Sequence, residues 1–331
     1  MALVEIPDRL NGSTFYGEVL PSIYSNIIEG NYNIDFDMHC TELANPEGLV
    51  NLLAAASMIR RKVGYVPQLY LPEKQNLFGY MKRSGFFKWA TVPGCESLRF
   101  NHISNDYFKD GYMQSNSLRP HLYGLFTHSN EGTCFNRHIT NIEGFVGEIA
   151  DSLIDKVDEF ELRRYCSMLR LSIVQVVKNS LEHNYGYKGT LAYYMIQNTR
   201  YNTLEFAFSD IGQGILERMK KMLIERDPEA INKYGDLEQK LNNRDLLFKE
   251  HCDNPNRLAI LNAVEYRKDS EIPGLHKIKE FTIEYDGVFI IHSGNYTIEY
   301  KKGGIIETFH NNSYFSGCHL KILMKSKKNI N

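Results

Sequence analysis

The chain has 331 residues, 43% hydrophobic and 24% charged, a composition that excludes a disordered or fibrous protein and leaves room for two globular domains. Lys and Arg number 38 against 40 Asp and Glu, so a net charge of −2 gives no overall basic field for nucleic acid or anionic lipid, although a local basic patch stays open. Six cysteines, Cys40, Cys95, Cys134, Cys166, Cys252 and Cys318, lie far apart without a CxxC pair or zinc-type spacing, and read as reduced thiols.

The first residues, MALVEIPDRLNGSTFYG, carry Glu5, Asp8 and Arg9 and lack the basic start and apolar run of a signal peptide. No apolar run approaches the ~20 residues of a membrane helix. A cytoplasmic protein without membrane or nucleic-acid partners is expected. Residues 33–38 alternate like a strand, 46–61 have helical periodicity, and 68–71 read again as a strand. Pro46 suits a helix start, where its missing N–H is not needed, and Leu49, Leu52, Leu53, Ala56 and Ile59 form an apolar stripe. A second helix is expected over 73–83, with Leu77, Tyr80 and Met81 inward, before Gly85-Phe-Phe opens another edge.

This order of elements resembles the STAS-type domain of bacterial anti-sigma-factor antagonists, over about the first hundred residues. Phosphorylatable members carry a serine before the helix after the second strand. Here that region reads Thr41-Glu-Leu-Ala-Asn-Pro46, without a serine, so the resemblance implies docking or scaffolding rather than phosphorelay, with Thr41 as the one local hydroxyl. A structural subdomain with no activity of its own fits equally well. Residues 91–135, with Pro93, Gly94, Gly111, Pro120, Gly124 and Gly132, have poor periodicity and are assigned to the connection, and the scattered His102, His121, His128 and His138 read as surface or core residues.

Residues 141–157 form an amphipathic helix pattern, and a second helix begins near Glu159 and runs through 171–184, LSIVQVVKNSLEHN. Helical spacing puts Ile173, Val174, Val177 and Leu181 on one face and Ser172, Gln175, Asn179 and Glu182 on the other. Residues 189–196 and 204–208 read as adjacent antiparallel strands, the second ending in Asp210-Ile-Gly212-Gln-Gly214. A polar stripe followed by a strand and a glycine turn suggests a nucleotide pocket. Either feature alone is as readily a solvated helix face or a simple turn.

With both in order, the last 190 residues or so resemble the GHKL ATPase superfamily of gyrase, histidine kinases and MutL, whose ATP-binding domain is the Bergerat fold. The sequence from Gln175 to Asn184 looks like its N box and Asp210 to Gly214 like its DxGxG box. The resemblance implies that Asn179 holds Mg²⁺ against the phosphates of ATP, that Asp210 accepts from the adenine amino group, and that His183, Gly212 and Gly214 border the nucleotide. Residues 216–272, rich in charge, match an ATP lid, with Lys220, Lys221, Arg257 and Arg267 as phosphate candidates. Gly274-Leu275 looks like the second glycine box with one glycine missing. Residues 288–295 and 315–322 resemble the closing strands, with Cys318 where threonine is usual.

Gln175 stands where gyrase-like members carry the glutamate that acts as general base, and an amide takes no proton from water. A general base contributes ~10²–10⁴-fold, so hydrolysis is expected to be slow or absent unless Glu182 or His183 substitutes. The expectation is an α/β (α+β) protein: a STAS-like α/β domain with its connection over 1–125, a Bergerat-fold α/β sandwich over 126–325, and a disordered tail at 326–331. Its expected function is ATP-dependent regulation, with nucleotide occupancy as a conformational switch acting on an unidentified protein partner. A serine/threonine kinase of the anti-sigma-factor type and a degenerate GHKL interaction module are the alternatives, and the helices before the N box leave a homodimer open.

Overall fold

The computed structural model describes residues 2–100, 120–127, 131–153, 158–183, 189–198, 203–226, 254–266, 274–310 and 313–325. The chain is a mixed α/β protein with one parallel and one antiparallel main sheet. No helix among the described residues is long and apolar enough to cross a membrane.

The first half is built on β1 (Ala2–Glu5), β2 (Arg9–Leu10), β3 (Ile34–Asp37), β4 (Leu43–Ala44), β5 (Gln68–Tyr70) and β6 (Arg99–Phe100). The strands β1, β3, β5 and β6 lie side by side in that order and run parallel, while β2 and β4 form a separate small pair. The crossover from β3 to β5 is the helix Pro46–Val63. Asn45 caps it by accepting from the Gly48 N–H at 2.8 Å, and Gly64, at φ 75°, ends it in the left-handed region.

Every residue of this helix from Pro46 to Ile59 is buried. An apolar stripe packed on one sheet leaves half of a helix in water, so burial all round requires a second wall. That wall is the back of a seven-stranded sheet. It contains β7 (His121–Thr127), β8 (Gly189–Asn198), β9 (Thr203–Asp210), β10 (Val288–Gly294), β11 (Tyr296–Lys301), β12 (Gly304–Phe309) and β13 (Phe315–Lys325), in the order β12-β11-β10-β13-β9-β8-β7, every neighbour antiparallel.

The register aligns residues of one chemistry in rows across the sheet. Tyr123, Tyr194, Phe208, Leu320, Ile291 and Ile298 form one front-face row, covered by the helices Glu131–Leu153, Glu159–His183, Gly214–Arg226, Pro255–Leu261 and Gly274–Glu284. On the back face, Tyr193, Ser209, His319, His292 and Thr297 form a polar row. The apolar residues beside it, Met195, Ala207, Ile211 and Phe315, share one core with Val4, Phe36, Leu53 and Leu69 of the first half.

The structure departs from the sequence reading in several places. Gly85 does end the helix Gln75–Ser84 at φ 87°, but the chain re-enters a helix at once, Phe86–Ala90, because Phe86, Phe87 and Ala90 all fill the core. Two stretches assigned to the connection, β6 and β7, are sheet strands, and the helix expected from 141 begins at Glu131. Strand β1, the helical run from Gly12 to Ile28, and the hairpin β11–β12 were not anticipated. Ser172, expected on the polar face of its helix, is buried with Val176 and Ser180, since neighbouring helices cover more than one face. Residues 326–331 and the stretches 227–253 and 267–273 of the expected lid, Arg267 included, lie outside the described residues.

Candidate functional site

Strand β9 delivers Asp210 to the front face, opposite Ala192 and one row beyond Phe208, where it is 8% exposed. Its Oδ1 accepts the Gly212 N–H at 2.5 Å, which folds the chain into a tight turn. Gly214, at φ 84°, then starts the helix Gly214–Arg226. A Cβ on Gly214 would lie 3.0 Å from the Gly317 carbonyl oxygen, and a Cβ on Gly317, at φ 108°, would lie 1.9 Å from the Asp210 carbonyl oxygen. Only glycine permits this apposition of the two backbones.

Two serines lock the turn. Ser316 Oγ donates to the Gly212 carbonyl at 2.6 Å, while Ser293 Oγ accepts the Ile215 N–H at 3.0 Å and donates to the Gly317 carbonyl at 3.1 Å. Cys318, opposite Ser293 in the sheet, has its thiol pushed far up by burial and then by the negative charge of Asp210, so it stays a neutral, weakly hydrogen-bonding neighbour of that carboxylate.

Gln175 and Asn179 sit one turn apart on the helix Glu159–His183, both half-buried, and Gln175 Nε2 donates to Asn179 Oδ1 at 2.9 Å. Ile173, Val176 and Val177 anchor that helix in the same front-face core as Ile215, Leu216 and Leu275, so the amide pair and the Asp210 turn belong to one packed layer. Glu182 and His183 occupy its last turn, and their side chains lie outside the described residues. Gly274 opens the helix Gly274–Glu284 and Leu275 is 6% exposed in the core, which makes Leu275 a packing residue.

Of the cations expected to reach phosphate, Lys220 pairs with Glu217 at 2.8 Å and Arg257 with Glu307 at 2.5 Å. Thr41 is fully buried and its Oγ1 donates to the Ile6 carbonyl at 3.3 Å. His138 is a core histidine, held by the Tyr194 hydroxyl at 3.0 Å and pushed down to about 4 by burial.

The sequence reading did not single out Ser293, Ser316 or Arg61. The first two sit near the ends of the strands β10 and β13. Arg61, which donates from Nη1 to the Ile211 carbonyl at 2.9 Å, is separated from the turn by 150 positions and leaves no local signal.

No family model, no curated protein and no solved structure matches this chain.

Proposed function

We propose that the chain is an ATP-binding regulatory protein whose nucleotide pocket lies between the Gln175–Asn179 helix face and the Asp210–Gly214 turn. The observation that carries the reading is a buried carboxylate at a strand end, set in a turn that needs glycine at Gly214 and at Gly317. An acceptor fixed this way discriminates in favour of a base bearing an amino group, because a base lacking that donor forgoes a hydrogen bond to the carboxylate.

Asn179 offers one amide oxygen, and the described residues hold no cluster of three or more His, Cys, Asp or Glu able to bind a metal. This donor set fits a Mg²⁺ ion that takes most of its ligands from phosphate and water. When bound, the nucleotide supplies those phosphates. The chain supplies an acceptor at Asp210 and an amide oxygen at Asn179, freed by turning away from Gln175. Gln175 holds no proton-accepting group for hydrolysis, so occupancy rather than turnover is the output, in the cytoplasm and toward a protein partner. A kinase reading needs an acceptor hydroxyl on another protein or elsewhere in this chain, because Thr41 is inaccessible.

A second reading, an interaction module without nucleotide, is favoured by one fact: Asn179 Oδ1 and Asp210 Oδ1 both already have partners within the chain. Calorimetric titration of ATP, with and without Mg²⁺, into wild type, Asp210→Ala and Asn179→Ala separates the two. The first reading expects wild-type binding that Asp210→Ala weakens at least about tenfold and that loses its Mg²⁺ dependence in Asn179→Ala. Absence of heat and of thermal stabilisation at millimolar ATP leaves the interaction module.

A further inference from the structure

We infer that Arg61, on the far side of the sheet from the proposed pocket, is the positioning residue of the Asp210 turn, and that through it the first half of the chain sets nucleotide affinity. The inference rests on the proposed nucleotide reading for its effect on binding, but not for its effect on the turn. Its starting point is Ile211, the residue between the candidate base acceptor and Gly212.

Asp210 faces the helical layer in front, whereas Ile211 faces backward. Its side chain is 4% exposed and packs in the core of the first half, with Leu53, Met58 and Phe36. Its N–H donates to the Leu191 carbonyl at 2.9 Å, and its carbonyl accepts from Arg61 Nη1 at 2.9 Å. The turn is thus held within the sheet by β8 and gripped from behind at two points, the Ile211 side chain and its carbonyl, the latter by a charge-assisted hydrogen bond from the last turn of the Pro46–Val63 helix. The serine contacts grip it from the sheet side at Gly212 and Ile215. Asp210 takes its direction from a peptide plane that the first half of the chain helps to fix.

The neighbouring Arg60 has a different task. It donates to the Glu96 and Gly94 carbonyls at 2.8 Å each and ties the helix to its own subdomain. Arg60 anchors the helix end, and Arg61 transmits its position to the turn. A ligand or protein that shifts this helix end would therefore alter the pocket without touching it, the coupling a regulatory domain requires. This makes the first half part of the recognition machinery rather than an independent adaptor.

The test compares wild type, Arg61→Ala, Arg61→Lys and Arg60→Ala by amide hydrogen exchange of the 208–216 peptide and by titration with ATP and GTP in the presence of Mg²⁺. Arg61→Ala is expected to speed exchange locally at 211–215, to weaken ATP binding about tenfold and to narrow the preference for ATP over GTP, with the Mg²⁺ dependence kept. Arg61→Lys, which retains a cationic donor, should restore most of both effects. Arg60→Ala, which keeps the Arg61–Ile211 hydrogen bond, should speed exchange at the turn less than Arg61→Ala does.

Unchanged exchange in Arg61→Ala overturns the inference, as does faster exchange spread over the whole chain, which marks a purely structural role. Protected, wild-type exchange at the turn with weakened ATP binding also overturns it. If wild type binds no ATP, the nucleotide reading fails, and locally faster exchange in Arg61→Ala rescued by Arg61→Lys still establishes Arg61 as the residue that positions the turn.

Discussion

Lys321 stands on the back face of β13 between two carboxylates, 3.1 Å from Glu47 Oε2 and 3.1 Å from Glu205 Oε1. All three side chains are at least 85% buried. Burial pushes the Glu205 carboxyl up despite the lysine, while the two carboxylates hold the lysine ammonium up against the opposing effect of burial. Removing the lysine leaves two buried acids facing each other, so Lys321→Met is expected to destabilise the protein by ~3–5 kcal/mol in urea unfolding near neutral pH. A loss under about 1 kcal/mol would mean that the carboxylates simply take up protons. Residues such as Asp210, Gly212 and Gly214 are legible in the sequence because one short turn holds them. Lys321, Arg61 and Glu47 are not, since their partners are far away in the chain and their charges read as solvated surface.

The histidines of the same face carry a second expectation. His292 stacks on Tyr16 with centroids 4.0 Å apart, and His319 on Phe315 at 3.9 Å. His292 bonds Thr297 Oγ1 at 2.7 Å, Thr297 Oγ1 bonds His310 Nε2 at 2.9 Å, and His319 bonds Ser209 Oγ at 2.5 Å. Burial, and at His292 the neighbouring His319 and His310, pushes all three downward, His319 to about 3. Histidines neutral in the fold but titrating near 6.5 when unfolded stabilise fully above that pH. Their contribution falls as the unfolded state takes up protons the fold refuses. For His319 the window runs from about 6.5 down to about 3, and at pH 5 its share of the loss is about 2 kcal/mol. Urea unfolding at about pH 7.5 and pH 5 measures this, and equal stabilities would show that these imidazoles accept protons in place.

At the scale of the element, the Pro46–Val63 helix shows what periodicity reveals and what it leaves out. The stripe Leu49, Leu52, Leu53, Ala56 and Ile59 predicts one buried face, and those residues are buried. Val50, Ala54, Ala55, Ser57 and Met58 are buried as well, because the seven-stranded sheet covers the other side. Its polar members are matched individually: Asn51 donates to the Tyr16 hydroxyl at 3.1 Å, and Ser57 shares a 3.2 Å bond with the Tyr193 hydroxyl, which also donates to Ser97 at 2.9 Å. A run of small residues, Ala54-Ala55-Ala56, lets the helix approach the strands closely. Ala55→Leu is therefore expected to cost about 1–3 kcal/mol by overpacking, whereas on a solvated face the same change would be neutral. The hairpin β11–β12 was overlooked for a different reason: β11 alternates in burial, but β12 sets Ile305 beside Ile306 and is largely exposed, so no period of two marks it as a strand.

At the scale of the whole molecule, the two halves share one core, and this decides how the chain divides. The second half has a complete front face, in which helices cover Phe206, Phe208, Ile291 and Leu320. Among the described residues, its back face is completed by the first half, which covers Tyr193, Met195, Ala207, Ile211 and Phe315 and joins this face by the Ser57, Arg61 and Glu47 contacts. A fragment starting at residue 120 would expose these side chains at about 1.5–3 kcal/mol for each large one, and would leave the Lys321 ammonium without Glu47. That total is comparable to the entire stability of an ordinary domain. The 120–325 fragment is accordingly expected to aggregate or to bind a hydrophobic dye, and co-expression with residues 1–100 is expected to recover a soluble pair. A monomeric fragment that unfolds cooperatively at the temperature of the intact chain would refute the shared core, and with it the route by which the Pro46–Val63 helix reaches Ile211.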